Sequence, residues 1–472
     1  RFASDVDSEV IAHLIEEACT QAKSLAAAVR TATNQLEGSW ALAVLARGSD
    51  RLVIAANRSP LVLAKADDGW YAASDVGALL ERSREIRVLA DGDVVEVNHV
   101  SSWTDAGGRP VPPRPILRAD WTVSDVELGP FRDFMEKEID EQPTVAARLL
   151  DHLLPLAADG ELWRRLDLPS FERVRLVACG TSLHAAAITA RVLRSVGRFP
   201  TELVVASEHE EALDPGALTL AFSQSGETAD VLAAVRRYGG PVLAITNTPH
   251  SSLARLADAM IDCMAGPEIG VAASKTFTAQ VLAGAVVAIG AASAAGRVSK
   301  VDTQSLLGTL AGMPDRLERA HHLSAPIAQV VAELVAEAPG FLLVSRGSGL
   351  PYAAEGALKL KELTYRWAEA YPAGELKHGP IALLDRGTPV FVLEGGDAAK
   401  LEANIAEMRA RGARVLRIGW GEEGMFPVAC VPGPWGPLEA VIALQHVARA
   451  LAIHLGRDVD KPRNLAKSVT VE

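Results

Sequence analysis

Cysteine is scarce. Only four are present, at positions 19, 179, 263 and 430, with no CxxC pair and no histidine at a metal-ligand spacing. That excludes a disulfide framework and a zinc site, and it implies a reducing, cytoplasmic setting. Basic charge is also in deficit: 47 Lys and Arg stand against 59 Asp and Glu, a formal net charge of -12. No nucleic-acid or membrane-binding surface is expected, so any anion site must be a local pocket. Neither an uncharged apolar run long enough to span a bilayer nor a signal peptide is evident. Walker loops, a Ser-His-Asp order and metal-ligand spacings are missing too, so no metal and no cofactor is expected. The sequence opens on Arg1 rather than methionine, directly in "RFASDVDSEVIAHLIEEA", already helical by Asp5 to Ala18. It reads as a chain cut within a domain.

What is there is ample core. With 472 residues, 49% hydrophobic and 22% charged, about three domains are expected. Residues 1–108 carry a helix followed by short β-type runs, "LEGSWALAVLAR", "RLVIAANR", "GWYAASD" and "DGDVVEVNHVSSW", divided by Gly, Asp and Ser turns. Residues 109–160 begin with the proline-rich "GGRPVPPRPILRADW", which reads as a linker, and continue into the helical hinge "FRDFMEKEIDEQPTVAARLLDHLL". Strand, turn and helix then alternate through 161–305 and again through 325–472. "VRLVACG" precedes "TSLHAAAITARVLRS", and "LTLAFSQSG" precedes "ETADVLAAVRRYG". Apolar strands alternating with amphipathic helices indicate a parallel sheet covered on both faces. "FLLVSRGSGLPYAAEGALKLKEL" has the layout of "VRLVACGTSLHAAAITARVL", and Gly347 lies 167 residues after Gly180. The fold class is α/β, two tandem doubly wound domains from a duplication, behind an α+β block.

The first copy carries two hydroxyl-rich strand-to-helix turns, "CGTS" with Thr181 and Ser182, and "SQSGET" from Ser223 to Thr228. Ligands bind at the carboxyl ends of parallel strands, and helix-start N–H groups with Ser and Thr hydroxyls suit a phosphate. Plain N-capping is the blander account of any one such turn; two in one sheet favour phosphate. The matching turns of the second copy, "SRGSG" and "EGGD", place Glu394 and Asp397 where a phosphate needs hydroxyls. One phosphate site per chain is therefore expected. "GWGEEG" (419–424) fits GxGxxG, but its glutamates and the following Phe426-Pro427 argue against a dinucleotide site.

The second copy has other equipment. Glu355, Lys359 and Glu362 share one helix face. Solvated decoration is the ordinary meaning of such spacing. The following stretch, "AEAYPAGELKHGP", is poor as helix or strand and brings His378 beside that carboxylate helix, a setting for acid–base work. The tail "PRNLAKSVTVE" alternates Val469, Thr470 and Val471 behind an Asn-Leu-Ala turn. Pro462 is expected to end the last helix, with Val469 and Val471 anchoring the tail.

Taken together, "ACGTS", "SQSGETAD", "EIGVAASK", "EGALKLKE", "GELKHGP" and "PRNLAKSVTVE" resemble the glutamine–fructose-6-phosphate amidotransferase (glucosamine-6-phosphate synthase) family over essentially the whole chain. The resemblance implies two sugar-isomerase (SIS) domains behind the latter half of an Ntn-type glutaminase domain. It implies phosphate and sugar contacts from Thr181, Ser182, Ser223, Gln224, Ser225 and Thr228, with Val271, Glu355 and Ala466 beside them. Lys467 aligns with the Schiff-base lysine, which must be neutral to react and so would be held out of water near Glu362 and the "SQSGET" turn. Glu362 aligns with the base that moves a proton between C1 and C2, with Lys359 as its companion. His378 aligns with the ring-opening residue supplied by a neighbouring subunit, which implies a homodimer. Asp7 aligns with the residue holding the α-amino group of glutamine.

There are departures. Ala273 stands where the family commonly has Ser, and Trp367 where His is common. The glutaminase nucleophile, an N-terminal cysteine with Arg-Trp and Asn-Gly motifs, has no counterpart, so these residues should isomerise fructose 6-phosphate but not hydrolyse glutamine. Two alternatives stay open on sequence: an ammonia-dependent aminosugar-phosphate isomerase or deaminase, and a sugar-phosphate-binding module without turnover.

Overall fold

The computed structural model describes every residue except 1, 7, 120, 159, 210–215, 397, 420–423, 429–432 and 469–472. Asp7, Asp397, Val469, Thr470 and Val471 of the sequence reading therefore lie outside the described residues, as do four of the six residues of "GWGEEG".

The first block packs the helices Ser8–Cys19 and Leu25–Thr33 with two four-stranded antiparallel sheets. β1 (Trp40–Leu45), β2 (Leu52–Asn57), β6 (Val94–Val97) and β7 (Ser101–Thr104) form one, in the order β1-β2-β6-β7. β3 (Val62–Ala66), β4 (Gly69–Ala73), β5 (Glu85–Val88) and β8 (Leu117–Arg118) form the other, in the order β4-β3-β5-β8. The proline-rich segment is not a free linker. Leu117 and Arg118 pair with Ile86 and Glu85 as β8, and prolines can sit on such an edge because no ladder N–H is asked of them.

Two parallel sheets follow. β9 (Val174–Ala178), β10 (Thr201–Val205), β11 (Leu218–Ser223), β12 (Val242–Thr246) and β13 (Ala259–Asp262) are ordered β10-β9-β11-β12-β13. β14 (Gly340–Ser345), β15 (Trp367–Pro372), β16 (Pro389–Leu393) and β17 (Arg414–Ile418) are ordered β15-β14-β16-β17. The central strands β9, β11, β12 and β16 are buried along their whole length, as continuous apolar runs between two helical layers must be. Each order reverses direction after its first strand, so each sheet has a switch-point crevice, between β9 and β11 and between β14 and β16.

Three sequence expectations are corrected here. The stretch from Ala368, read as neither helix nor strand, begins within β15, an edge strand that among the described residues pairs only with β14; its terminal proline is tolerated there because no further described strand needs its N–H. The last helix, Leu438–His454, ends well before Pro462, where Leu455 N–H closes it on Leu451 and Gly456 turns at φ +67°. Finally, the helix Lys275–Ala294 is long and apolar enough to cross a membrane by length and composition, but 18 of its 20 residues are buried. It packs against Gln142–Ala158 and Gly180–Ser195, and a helix apolar all round belongs in such a core.

Candidate functional site

The crevice between β9 and β11 gathers most of the residues singled out from sequence. β11 ends at Ser223, and Thr228 caps the helix Ala229–Tyr238. Within the turn, the Ser223 and Thr228 hydroxyls stand 2.9 Å apart, Ser223 Oγ accepts the Gly226 N–H, and Ser225 Oγ accepts the Glu227 N–H. Gln224 is held by its carbonyl, which accepts the Asn247 N–H at 3.1 Å. The hairpin depends on glycine: Gly226 has φ +67°, and a Cβ there would lie 2.0 Å from Ser251 Oγ. Gly226→Ala is expected to cost about 2–4 kcal/mol in overpacking and left-handed strain, and to weaken phosphate binding with it. Calorimetry and phosphate titration would check this; wild-type values for both would contradict it.

The second domain reaches across to complete this crevice. On the helix Leu350–Thr364, Glu355 and Lys359 are fully buried and Glu362 has 20% of its side chain exposed. They are no solvated decoration. Lys359 Nζ sits 2.7 Å from Glu362 and 3.5 Å from Glu355, and donates to Thr181 Oγ1 at 3.1 Å. Thr181 donates in turn to Glu355, and His184 Nδ1 is 2.7 Å from the other Glu355 oxygen. Burial works against the Lys359 ammonium, but Glu362 and Glu355 outweigh it and push its pKa up to about 12. Burial likewise opposes ionisation of Glu355, and Lys359 with His184 outweighs it, leaving the carboxyl below its ordinary value. The result is a cation fixed between two carboxylates, tied to the turn that Thr181 and Ser182 begin.

The tail lies on the same crevice. Asp460 accepts from the N–H groups of Phe134 and Met135, and its carbonyl receives the Val271 N–H. Asn464 adopts φ +61°, reversing the chain. Lys467 Nζ then donates to Glu268 Oε2 and to the Gly270 carbonyl, both at 2.7 Å, and Ser468 Oγ meets Ser225 Oγ at 3.1 Å. Lys467 thus lies beside the "SQSGET" turn, but it is not sealed from water: 24% of its side chain is exposed and it is ion-paired with Glu268. The physical reason is Glu268, a wholly buried carboxylate that needs a cation. Burial pushes Glu268 up, yet Lys467 and the N–H groups of Thr276 and Ser274 hold it down at about 2. Val271 is half-buried behind this contact, while Ala466 is exposed on the tail. His378 is exposed at the end of the 3-10 segment Ala373–His378 and, among the described residues, takes part in no hydrogen bond or ion pair.

Three participants were not foreseen as site residues. Glu268 opens the quoted "EIGVAASK", and His184 lies within the quoted "TSLHAAA", one turn into its helix. Glu138 lies within the quoted hinge "FRDFMEKEID", in the helix Phe134–Asp140, where it reads as one acidic residue among several. Its Oε1 accepts the N–H groups of Ile269 and Gly270, so it shapes the loop whose carbonyl holds Lys467, and its buried Oε2 has no hydrogen-bond partner among the described residues. Burial first, and the Glu268 charge second, push its pKa up to about 8. A carboxyl so raised keeps its proton in the folded chain while the unfolded chain gives it up near 4.5, so stability falls as pH rises between those two values. Glu138→Gln removes that slope. The variant's melting temperature should gain on the wild type between pH 5 and pH 8; parallel curves would contradict the assignment.

Comparison with known proteins agrees with this architecture. The chain matches the SIS domain family over residues 168–290 and 336–419, and the glutamine amidotransferase domain family over 1–81. The glutamine–fructose-6-phosphate aminotransferase (isomerizing) of Thermus thermophilus is 41% identical over 490 residues, covering all of this chain and 80% of that protein. That of Halobacterium salinarum is 38% identical, covering all of this chain and 81% of its own length. Among solved structures, the C-terminal domain of the glucosamine–fructose-6-phosphate aminotransferase from Francisella tularensis superposes with a TM-score of 0.65 at 30% identity, covering 71% of this chain and all of that one. A glucosamine-6-phosphate deaminase from Thermotoga maritima shares the fold, with a TM-score of 0.58 at 24% identity.

Proposed function

The chain belongs to the glutamine–fructose-6-phosphate aminotransferase (isomerizing) family, and from that premise we propose how its own residues carry the sugar half of the reaction. Fructose 6-phosphate docks its phosphate on the turn Ser223–Thr228 and on Ser182, with Thr181, Gln224, Val271 and Ala466 lining the sugar. Lys467 gives up a proton to water at its exposed side, parts from Glu268 and adds its amine to the C2 carbonyl of the open-chain ketose; loss of water leaves the Schiff base. An amine donor releases the lysine again by exchange at C2. Glu362 takes the C1 proton and returns it at C2, converting ketose to aldose geometry, while Lys359 neutralises the charge that builds between those carbons. Glutamine is the amino donor in the family.

The observation that carries this reading is the convergence of the tail lysine on the phosphate turn, through Glu268, the Gly270 carbonyl and Ser468 against Ser225. A deaminase sharing only the fold lacks the full-length identity, and the match to a glutamine amidotransferase domain over residues 1–81 disfavours a purely ammonia-dependent enzyme. A binding module without turnover has no use for a lysine so placed.

His378 is the ring-opening residue, and its exposure suits delivery to a partner subunit's crevice in a homodimer. The test is complementation. His378→Ala and Lys467→Ala chains should each be inactive in fructose 6-phosphate isomerisation. Mixed and refolded together they should recover roughly a quarter of wild-type activity, since half of the dimers are hybrid and each hybrid holds one intact site. No recovery, with hybrids demonstrated, would contradict the shared site.

A further inference from the structure

The duplication leaves a second crevice at the other switch point, between β14 and β16, where a cavity of about 810 Å³ opens. Sequence alone dismissed it, because Glu394 and Asp397 stand where a phosphate needs hydroxyls. The hydroxyl that the first of its two turns does carry is engaged: the Ser348 N–H and Oγ both donate to the Gly395 carbonyl, so the two turns are zipped together. A Cβ on Gly395 would lie 2.6 Å from the Gly349 backbone. No anion can sit inside such a closed pair of turns.

Charge arrives from elsewhere. The helix Gly180–Ser195 belongs to the first domain and packs against Leu350–Thr364 of the second. Just as the second domain's helix sends Glu355, Lys359 and Glu362 into the first crevice, the first domain's helix sends Arg191, Arg194 and Ser195 into the wall of the second. At the 167-residue offset of the duplication, Ser195 answers to Glu362. Among the described residues neither guanidinium has a hydrogen bond or ion pair. Burial, and then the neighbouring Arg194, hold the Arg191 pKa below its ordinary value, so the pair repel one another where they stand. Among the described residues Glu394 is the acidic residue lining the same cavity, and one carboxylate does not balance two guanidinium groups.

We propose that this second crevice binds the phosphate group of a small phosphorylated metabolite, clamped by Arg191 and Arg194. A phosphate ester carries close to two negative charges and offers three acceptor oxygens to forked guanidinium donors, which matches two unpaired arginines better than a carboxylate does. The cavity is large enough for more than the phosphate, and its place at the switch point is where such sheets take ligands. The assignment is independent of the roles given above to Lys467 and Glu362.

Binding stoichiometry tests it. In the full-length Lys467→Ala chain, where turnover is blocked, calorimetric titration with fructose 6-phosphate should reveal two sites per chain at low salt. Adding R191Q/R194Q should weaken one site at least tenfold and spare the other, while R191K/R194K should retain most of the affinity. In the otherwise wild-type chain, R191Q/R194Q should keep turnover at saturating substrate within about twofold. A parallel titration with inorganic phosphate identifies what is read: equal affinity means the free anion suffices, and weaker binding means the sugar contributes. If the double variant does not fold, the exposed Arg194→Gln alone should still weaken the second site severalfold. One site per chain in the parent, or unaltered binding in the arginine variants, would overturn the proposal.

Discussion

Lys467→Ala is expected to lower fructose 6-phosphate isomerisation by about 10³-fold or more, on the order of 4 kcal/mol of barrier, because the other amine described in the crevice, Lys359, is fixed as a cation between Glu355 and Glu362. Binding of the sugar phosphate should survive within about tenfold, since the turn Ser223–Thr228 does not depend on the lysine for its hydrogen bonds. Stability should respond separately. Glu268 is held at about 2 against an ordinary value of 4.5, so the Lys467–Glu268 pair stabilises the folded chain above the ordinary value and loses that contribution as pH falls toward 2. Without the ammonium, the Glu268 carboxyl rises and acid unfolding should begin at higher pH. Lys467→Arg distinguishes the two effects. A guanidinium still pairs with Glu268, so acid stability should be largely restored while activity is not. Activity in the arginine variant near that of the wild type would refute the covalent role.

The second large effect is expected from Glu362→Gln. Glutamine keeps the shape but cannot accept the C1 proton, and a positioned general base is worth roughly 10²–10⁴-fold. Schiff-base formation does not require Glu362, so the variant should still be trapped by borohydride while failing to exchange the C1 hydrogen with solvent deuterium. Lys359, left with Glu355 as its remaining carboxylate, is wholly buried, so the pair cannot be separated without a folding cost. Lys359 approaches Glu362 to 2.7 Å, and 20% of the Glu362 side chain stays exposed toward the crevice. Such a contact holds the carboxylate in place yet leaves it able to turn toward substrate. Loss of trapping together with loss of exchange would assign Glu362 to sugar binding instead.

Much of the fold was legible because burial writes a period into sequence. β9, β11, β12 and β16 are continuous apolar runs, and nothing but a two-sided burial explains them. β15 was not, since "WAEAYP" lies at an edge where one neighbour suffices and its polar residues meet solvent. β8, two residues long, is defined by its partner β5 rather than by its own composition. The site divides the same way. Hydroxyls clustered in a turn, and Glu355, Lys359 and Glu362 on one helical face, are local patterns. Whether that face is solvated or sealed is decided by the helix opposite, which spacing cannot reveal. Glu138 comes into play only when residues some 130 apart in sequence are brought together, with Ile269 and Gly270 laid on the hinge helix, and Glu268 only when the tail brings Lys467 to it from 199 residues on. Arg191 and Arg194 fall within "TSLHAAAITARVLRS", one of the amphipathic helices of the sequence pattern, and the second sheet gives them a cavity to face.

The most direct test of the central assignment is chemical trapping. The full-length chain incubated with fructose 6-phosphate and borohydride should form a reduced, acid-stable adduct, and peptide mass spectrometry should place one sugar phosphate on Lys467. Modification of a different lysine, or no adduct while isomerisation proceeds, would contradict it.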